Sequence, residues 1–471
     1  FLSANKDRRD LLLSQREPDF DTSFDARIAA ASDDFSRITL KAQAARDYFL
    51  LIGPPGTGKT SRALRGMVEA FYREGKQILL LSYTNRAVDE ICKTLSVITP
   101  EIDFIRIGSE LSCDPPFRSR LIENVLESCS TRREVHARIE RCRVFVGTVA
   151  TFSSKTDMFR LKTFDVAIVD EATQILEPQL LGLLCARNVA GNNAIGKFIL
   201  IGDHKQLPAV VLQSESQSEV CEECLQSIGL YNLKDSLFER LYRTVSANHS
   251  SPTTQRFYDM LCRQGRMNVE VARFPNHAFY GGLLEAVGLP HQQGELVLAP
   301  GLESDEFADV LVSRVAFLPS VPEFPSQSAK INHSEAQLTA RLAAAVYRQY
   351  EASGSGFHSA LTLGVITPYR SQIALIKREI AALGIPVLND ILVDTVERFQ
   401  GSERDVIIYS FCVNRTYQLK FLANLTEEKG VWIDRKLNVA LTRARKQLFM
   451  TGVPHLLRQN PIYADLLDTV L

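Results

Sequence analysis

Eight residues, GPPGTGKT at 53–60, have the types and spacing of a loop that wraps a phosphate chain. The pattern G-x-x-x-x-G-K-[ST] places glycines where backbone N–H groups close around phosphate oxygens, and the start of a following helix adds partial positive charge. Gly53, Pro54, Pro55, Gly56, Thr57 and Gly58 then form the cradle, Lys59 reaches the β- and γ-phosphates, and Thr60 holds Mg²⁺. The context fits: YFLLIG (48–53) reads as a strand, and SRALRGMVEAFYREG (61–75) as an amphipathic helix ending at a glycine.

VAIVDEA (166–172) supplies a second set. An apolar strand delivers Asp170 to its C-terminal end, where open α/β sheets bind ligands, as a partner for Mg²⁺. Glu171 beside it is placed to orient and deprotonate an attacking water. Gln206, in LIGDHKQLPAV (200–210), is uncharged and suited to touch both a γ-phosphate oxygen and that water. These residues alone leave a motor, a kinase, a transporter ATPase and a GTPase all open.

LNVALTRAR (437–445) reads as a helix, with Leu437, Ala440, Leu441, Ala444 and Leu448 at helical spacing and Arg443 off that stripe. Phosphoryl transfer builds negative charge on the γ-phosphoryl oxygens, and an inserted arginine speeds hydrolysis by roughly 10³ to 10⁵. Arg443, and Arg266 in LCRQGRMN (261–268), are candidates if a second sheet unit packs across the phosphate loop. A surface salt bridge is the plain alternative for either one.

The elements that must hold these residues alternate. KQILLLSY (76–83), RVFVGTV, DVAIVDEA and KFILIGD read as apolar strands separated by helices, which predicts a parallel sheet covered on both faces. Residues 109–142 interrupt them with a helix-rich insertion, whose TRREVHARIERCR (131–143) is a possible strand-facing basic patch or a solvated helix face. After 310 the alternation returns with RVAFL (314–318), TLGVITPY (362–369), ILVDTV, DVIIYSFC and QLFMTG. The predicted organisation is an N-terminal helical arm over 1–35, one α/β domain over 36–246 and a second over 247–471.

Composition narrows the function classes. Lys plus Arg is 54 and Asp plus Glu is 55, so no bulk positive field draws in a polyanion, and any nucleic acid must be held by local patches. The nine cysteines are scattered and odd in number, which suits a reducing interior. Cys221 and Cys224 have no second pair to complete a metal site and read as free thiols in an acidic loop. No apolar run is long enough to span a bilayer, so no membrane partner is expected; an intracellular location (cytoplasmic, or nuclear in a eukaryote) and a monomer are separate expectations. The first residue is Phe, which reads as the start of a piece with something missing upstream.

GPPGTGKT, LSYTNRAVDE, DEATQ, GDHKQLP, QGRM, ITPYRSQ, DTVERFQGSERDVII and LNVALTRAR occur in the order seen in superfamily 1 helicases. The sequence most resembles branch B, which contains the RNA helicase of nonsense-mediated decay and the eukaryotic flap-processing helicase–nuclease. The resemblance runs from about 40 to 455. It implies an α/β fold of two tandem RecA-like P-loop domains with parallel sheets and a small helical insertion in the first. It further implies ATP with Mg²⁺ as cofactors and a single strand of DNA or RNA as partner, followed 5′ to 3′.

Gln43 falls where the family reads adenine, and Gly401 and Glu403 where it contacts the γ-phosphate and ribose. Arg266 and Arg443 fall on its two arginine fingers. Gly265 departs from the family, which usually carries there a Tyr that helps stack the adenine. Ser82, Thr84, Asn85, Thr148, Thr151 and Thr395 offer hydroxyl or amide contacts to a strand, and Tyr369 and Arg370 offer stacking and charge. Ordinary capping of strand and helix ends is the competing reading for the hydroxyls. Three readings are in view: an ATP-dependent helicase or translocase, with DNA favoured over RNA; a nucleic-acid-stimulated ATPase that remodels complexes without unwinding; and a binding module whose ATP cycle only switches affinity.

Overall fold

Strands β1 (Tyr48–Ile52), β2 (Ile78–Ser82), β3 (Phe104–Ile107), β4 (Val144–Thr148), β5 (Phe164–Val169), β6 (Ile195–Gly202) and β7 (Tyr258–Met260) form one sheet in the order β3-β4-β2-β5-β6-β1-β7. Every pairing in it is parallel. The computed structural model describes residues 1–2, 4–98, 101–247, 254–324, 329–428 and 430–471. Side chains of one strand alternate between the two faces: Leu50 and Ile52 join one apolar cluster, Phe49 and Leu51 the other. Burial on both faces is why β1 and β2 read as unbroken apolar runs.

The chain divides into two compact units, residues 1–204 with 208–261, and residues 205–207 with 262–471. The first runs past the expected boundary at 246, because β7 adds to the sheet edge beside β1. That boundary abuts residues 248–253, which lie outside the described residues. The expected helical insertion lies between β3 and β4 and ends in the helix Arg132–Arg141, closed by a Thr131–Glu134 capping box. Part of its charge is engaged internally, since Arg138 pairs with Asp103 at 3.0 Å. The N-terminal helix Lys6–Leu12 packs on the first unit, where Arg8 donates to the carbonyls of Ile195 and Gly196.

In the second unit, β8 (Arg263–Gln264) pairs with β9 (Glu285–Ala286). Strands β10 (Val315–Pro319), β11 (Leu363–Ile366), β12 (Leu392–Asp394), β13 (Arg404–Ser410) and β16 (Ala444–Gly452) form a parallel sheet ordered β10-β16-β13-β11-β12. A separate antiparallel hairpin joins β14 (Leu425–Glu428) to β15 (Val431–Asp434). The helix expected over 437–445 is shorter. It spans Arg435–Leu441, and Ala444 and Leu448 belong to β16. Leu448 pairs with Val315 and Ile407, so strand pairing on both sides overrides the local helical spacing. Among the described residues no helix is long and apolar enough to cross a membrane.

Glu335, on the helix His333–Ala352, is buried at the C-terminal ends of these strands. Its carboxylate accepts from Ser410 Oγ and Cys412 N, both at 2.8 Å, and from Thr451 Oγ1 at 3.3 Å. Burial pushes its pKa up to about 7 from 4.5, against those hydrogen bonds. The folded state therefore holds this proton more tightly than the unfolded chain, and the associated stability falls as pH rises through that window. Relative to the wild type, Glu335→Gln should gain up to about 3 kcal/mol between pH 5 and pH 8. Urea unfolding of both proteins at the two pH values measures this, and a pH-independent difference contradicts it.

Candidate active site

The phosphate loop leaves β1 and needs backbone that only glycine adopts easily. Gly56 and Gly58 have φ of 72° and 78°. Thr57 is buried and donates to the carbonyl of Pro54 at 2.7 Å, bracing the loop from within. Gly53 donates to the carbonyl of Gly202 at 2.9 Å, which ties the loop to the end of β6. A π-helical turn, Lys59–Leu64, then runs into the helix Arg65–Arg73.

Lys59 lies 2.7 Å from Glu171, both half-buried, and Thr60 Oγ1 donates to Asp170 Oδ2 at 2.6 Å. The two ends of this quartet come from β1 and β5, so one sheet sets their spacing. Glu171 is one of three non-glycine residues among the described ones with positive φ, at 54°. Such a left-handed backbone is costly for a residue with a side chain, and sequence patterns do not carry it. Gln174 Nε2 donates to Glu171 Oε2 at 2.8 Å, fixing the second carboxylate oxygen.

Burial draws the Lys59 ammonium down, but Glu171, then Asp170 and Asp203, more than reverse it and hold its pKa above the usual lysine value. Burial, then the adjacent Glu171 charge, raises Asp170 against the pull of Lys59 and Thr60. Gln174 and Asp203 also belong to this group, and the DEATQ and GDHKQLP segments that carry them are the signal by which sequence alone could find them. Gln43 lies on the helix Asp34–Ala44, and its amide donates to Glu74 Oε1 at 2.5 Å.

In the second unit Arg443 is buried. Its guanidinium donates to the carbonyl of Val439 at 3.0 Å, to that of Ser402 at 3.4 Å, and to Gln206 Oε1 at 3.1 Å. Arg443 is 2% exposed, so it does not lie at the surface. Arg266 donates from Nε to Glu403 Oε2 at 2.6 Å and to the carbonyl of Thr442 at 3.3 Å. Burial opposes the Glu403 charge, yet Arg266, Arg445 and Arg443 keep its pKa below the usual range. Arg266 and Glu403 are thus partners. Gly401 has φ of 73°, a turn that a side chain would strain. Asn438 donates to the carbonyl of Lys205 at 2.7 Å, holding the Gln206 segment.

The strand candidates divide. Thr84 and Thr148 cap the helices Asn85–Ser96 and Val149–Ser154, accepting from Ala87 N and Thr151 N. Ser82 is fully buried and donates to the carbonyl of Asp170. Thr151 shares a 2.7 Å hydroxyl contact with Thr148, and Asn85 is half-buried. Tyr369 Oη accepts from Gln418 at 3.3 Å, Arg370 is exposed, and Thr395 leads into the short helix Val396–Phe399. Cys221 and Cys224 are exposed thiols.

A family model described as an AAA domain matches residues 233–455, and a second one, also described as an AAA domain, matches 31–140 and 118–214. The chain is 29% identical over 493 residues to the DNA replication ATP-dependent helicase/nuclease DNA2 of Bos taurus, covering 98% of this chain and 42% of that protein. Its counterpart in Xenopus laevis is 31% identical over 434 residues, 88% of this chain and 36% of that one. The helicase/nuclease JHS1 of Arabidopsis thaliana is 29% identical over 446 residues, 93% and 30%. The chain therefore spans less than half the length of these relatives. A solved arterivirus nonstructural protein 10 helicase in complex with DNA aligns at 14% identity and a TM-score of 0.41, over 88% of this chain and 62% of that one.

A Cβ added at Gly53 would stand 2.7 Å from Lys59 Cβ. Gly53→Ala should displace Lys59 and weaken triphosphate binding by about ten-fold or more, while the sheet survives. Titration with a fluorescent ATP analogue tests this, and unchanged affinity contradicts it.

Proposed function

We propose, given that the chain is a superfamily 1 helicase resembling the helicase part of the DNA replication helicase/nucleases, that it hydrolyses ATP to translocate on single-stranded nucleic acid and unwind it. The observation that carries this is the quartet of Lys59, Thr60, Asp170 and Glu171 at the ends of β1 and β5, the two strands that flank β6 in one sheet. DNA is favoured over RNA because the relatives are named for DNA replication. The 5′ to 3′ direction comes from the branch the sequence resembles.

In the proposed cycle, the incoming phosphates replace Glu171 as partner of Lys59. The freed Glu171 carboxylate accepts the proton of the attacking water, whose oxygen Gln206 orients. Arg266 and Arg443 leave their present partners to offset charge on the γ-phosphoryl oxygens. Gln43, Gly401 and Glu403 line the nucleotide. The residues also suit Mg²⁺. Thr60 and Asp170 supply hard oxygen donors, and no cluster of three or more His, Cys, Asp or Glu that could hold a metal occurs among the described residues. An ion that takes its remaining ligands from phosphate and water needs no such cluster. When bound there, it would neutralise β- and γ-phosphate charge.

Asn85, Thr151, Arg370 and Thr395, with Ser82, Thr84, Thr148 and Tyr369 framing them, are proposed to contact the strand backbone without reading sequence. ATPase assays with and without single-stranded DNA or RNA, run beside strand displacement, decide the function. Stimulated hydrolysis with displacement supports the helicase reading; stimulated hydrolysis without displacement supports remodelling; no stimulation contradicts both.

Glu171→Gln should keep ATP binding and lower turnover by roughly 10²- to 10⁴-fold. Phosphate release measures it, and surviving turnover removes the base assignment. Arg443→Ala should cut turnover by about 10³-fold or more, with strand affinity retained. A drop of less than ten-fold in the same assay removes Arg443 from the chemistry.

A further inference from the structure

The hairpin β14–β15 projects the chain's only tryptophan. Trp432 is 55% exposed, and Leu425, on the same face of the hairpin, is exposed beside it. The opposite face is anchored at Ile433 and Glu428, while Val431 on it is exposed. Ile433 is buried there, and Glu428 pairs with Lys205 at 3.2 Å. At the end of the hairpin, Asp434 accepts from Lys436 N, Leu437 N and Tyr463 Oη. The indole is therefore an exposed ring on a braced support.

Two more exposed rings precede it. Tyr417 and Phe421 meet edge-on at 6.5 Å, with exposed Arg415 and Lys420 in the same segment. This stretch contacts segments that carry residues proposed above to meet the strand. Gln418 donates to Tyr369 Oη, and Lys436 approaches Glu397, two residues beyond Thr395, at 3.7 Å.

We propose that an unpaired base of a bound single strand stacks on Trp432, with Tyr417 and Phe421 as further stacking rings. The proposal rests on the strand-driven ATPase reading above and names where that strand's bases lie. Separate rings interleaved with cations suit bases taken one at a time, because every base has a π-face and every nucleotide a phosphate. A protein partner would need a continuous patch of about 800 Å², and this hairpin is two strands of four residues. Glu427, which faces Trp432 across the hairpin, disfavours a phosphate beside the indole and leaves the ring to a base.

Because Trp432 is the sole tryptophan, its emission reports this site alone. The unmodified chain is titrated with oligothymidylate and with an abasic oligomer of equal length, while anisotropy of labelled strands follows binding in parallel. Expected is a saturable loss of indole emission with thymidylate, at the midpoint given by anisotropy, and none with the abasic strand. Trp432→Ala should weaken thymidylate binding by about ten-fold, and Trp432→Phe should restore most of it. Binding without quenching, or equal quenching by the abasic strand, overturns the stacking site and leaves the ATPase reading standing. No strand binding and no strand-stimulated hydrolysis overturns both.

Discussion

The attraction between Lys59 and the adjacent carboxylates at the end of β5 is the interaction on which the first unit's candidate site depends. A lysine and two acids placed at the edge of an apolar sheet lose hydration, and only their mutual pairing offsets that loss. At a partly buried site each such pair is worth about 4 kcal/mol before desolvation is charged against it. Lys59 accordingly stays protonated despite its burial, with Glu171, Asp170 and Asp203 around it. In the proposed cycle a triphosphate replaces the carboxylate as partner of the ammonium, because its charge has the same sign. The left-handed backbone at Glu171 and the bracing amide of Gln174 keep that carboxylate beside the loop.

The second unit follows the same rule with arginines. A buried guanidinium needs acceptors for its donors, and Arg443 finds them in two carbonyls and Gln206. Arg266 finds a carboxylate in Glu403. These guanidinium groups are held in hydrogen-bonded pairs, so that no bare charge is left in a low-dielectric interior. Asn438 belongs to the same arrangement, since it fixes the backbone on which Gln206 rides.

The strand candidates show a different economy of hydrogen bonding. Thr84 and Thr148 spend an acceptor on helix caps, which is why those strands can turn directly into helices. Capping and strand contact are compatible for a hydroxyl, which both accepts and donates. Aromatic contacts escape this competition, since an exposed ring has no backbone group to satisfy. The braced hairpin with Trp432 is therefore a separate kind of surface from the capped strand ends.

Much was legible in the residues themselves. The phosphate loop, the acidic pair after β5, the alternation of apolar strands with helices and the helical insertion all depend on local spacing, and local spacing survives folding. The length of the LNVALTRAR helix was not legible, because pairing of β16 with β10 and β13 takes Ala444 and Leu448 into a sheet. Nor were the strained φ of Glu171, the Arg266–Glu403 pair or the Lys205–Glu428 brace. Each joins residues distant in the chain, or reflects the balance of burial against charge, and only the folded arrangement of the sheet ends decides those.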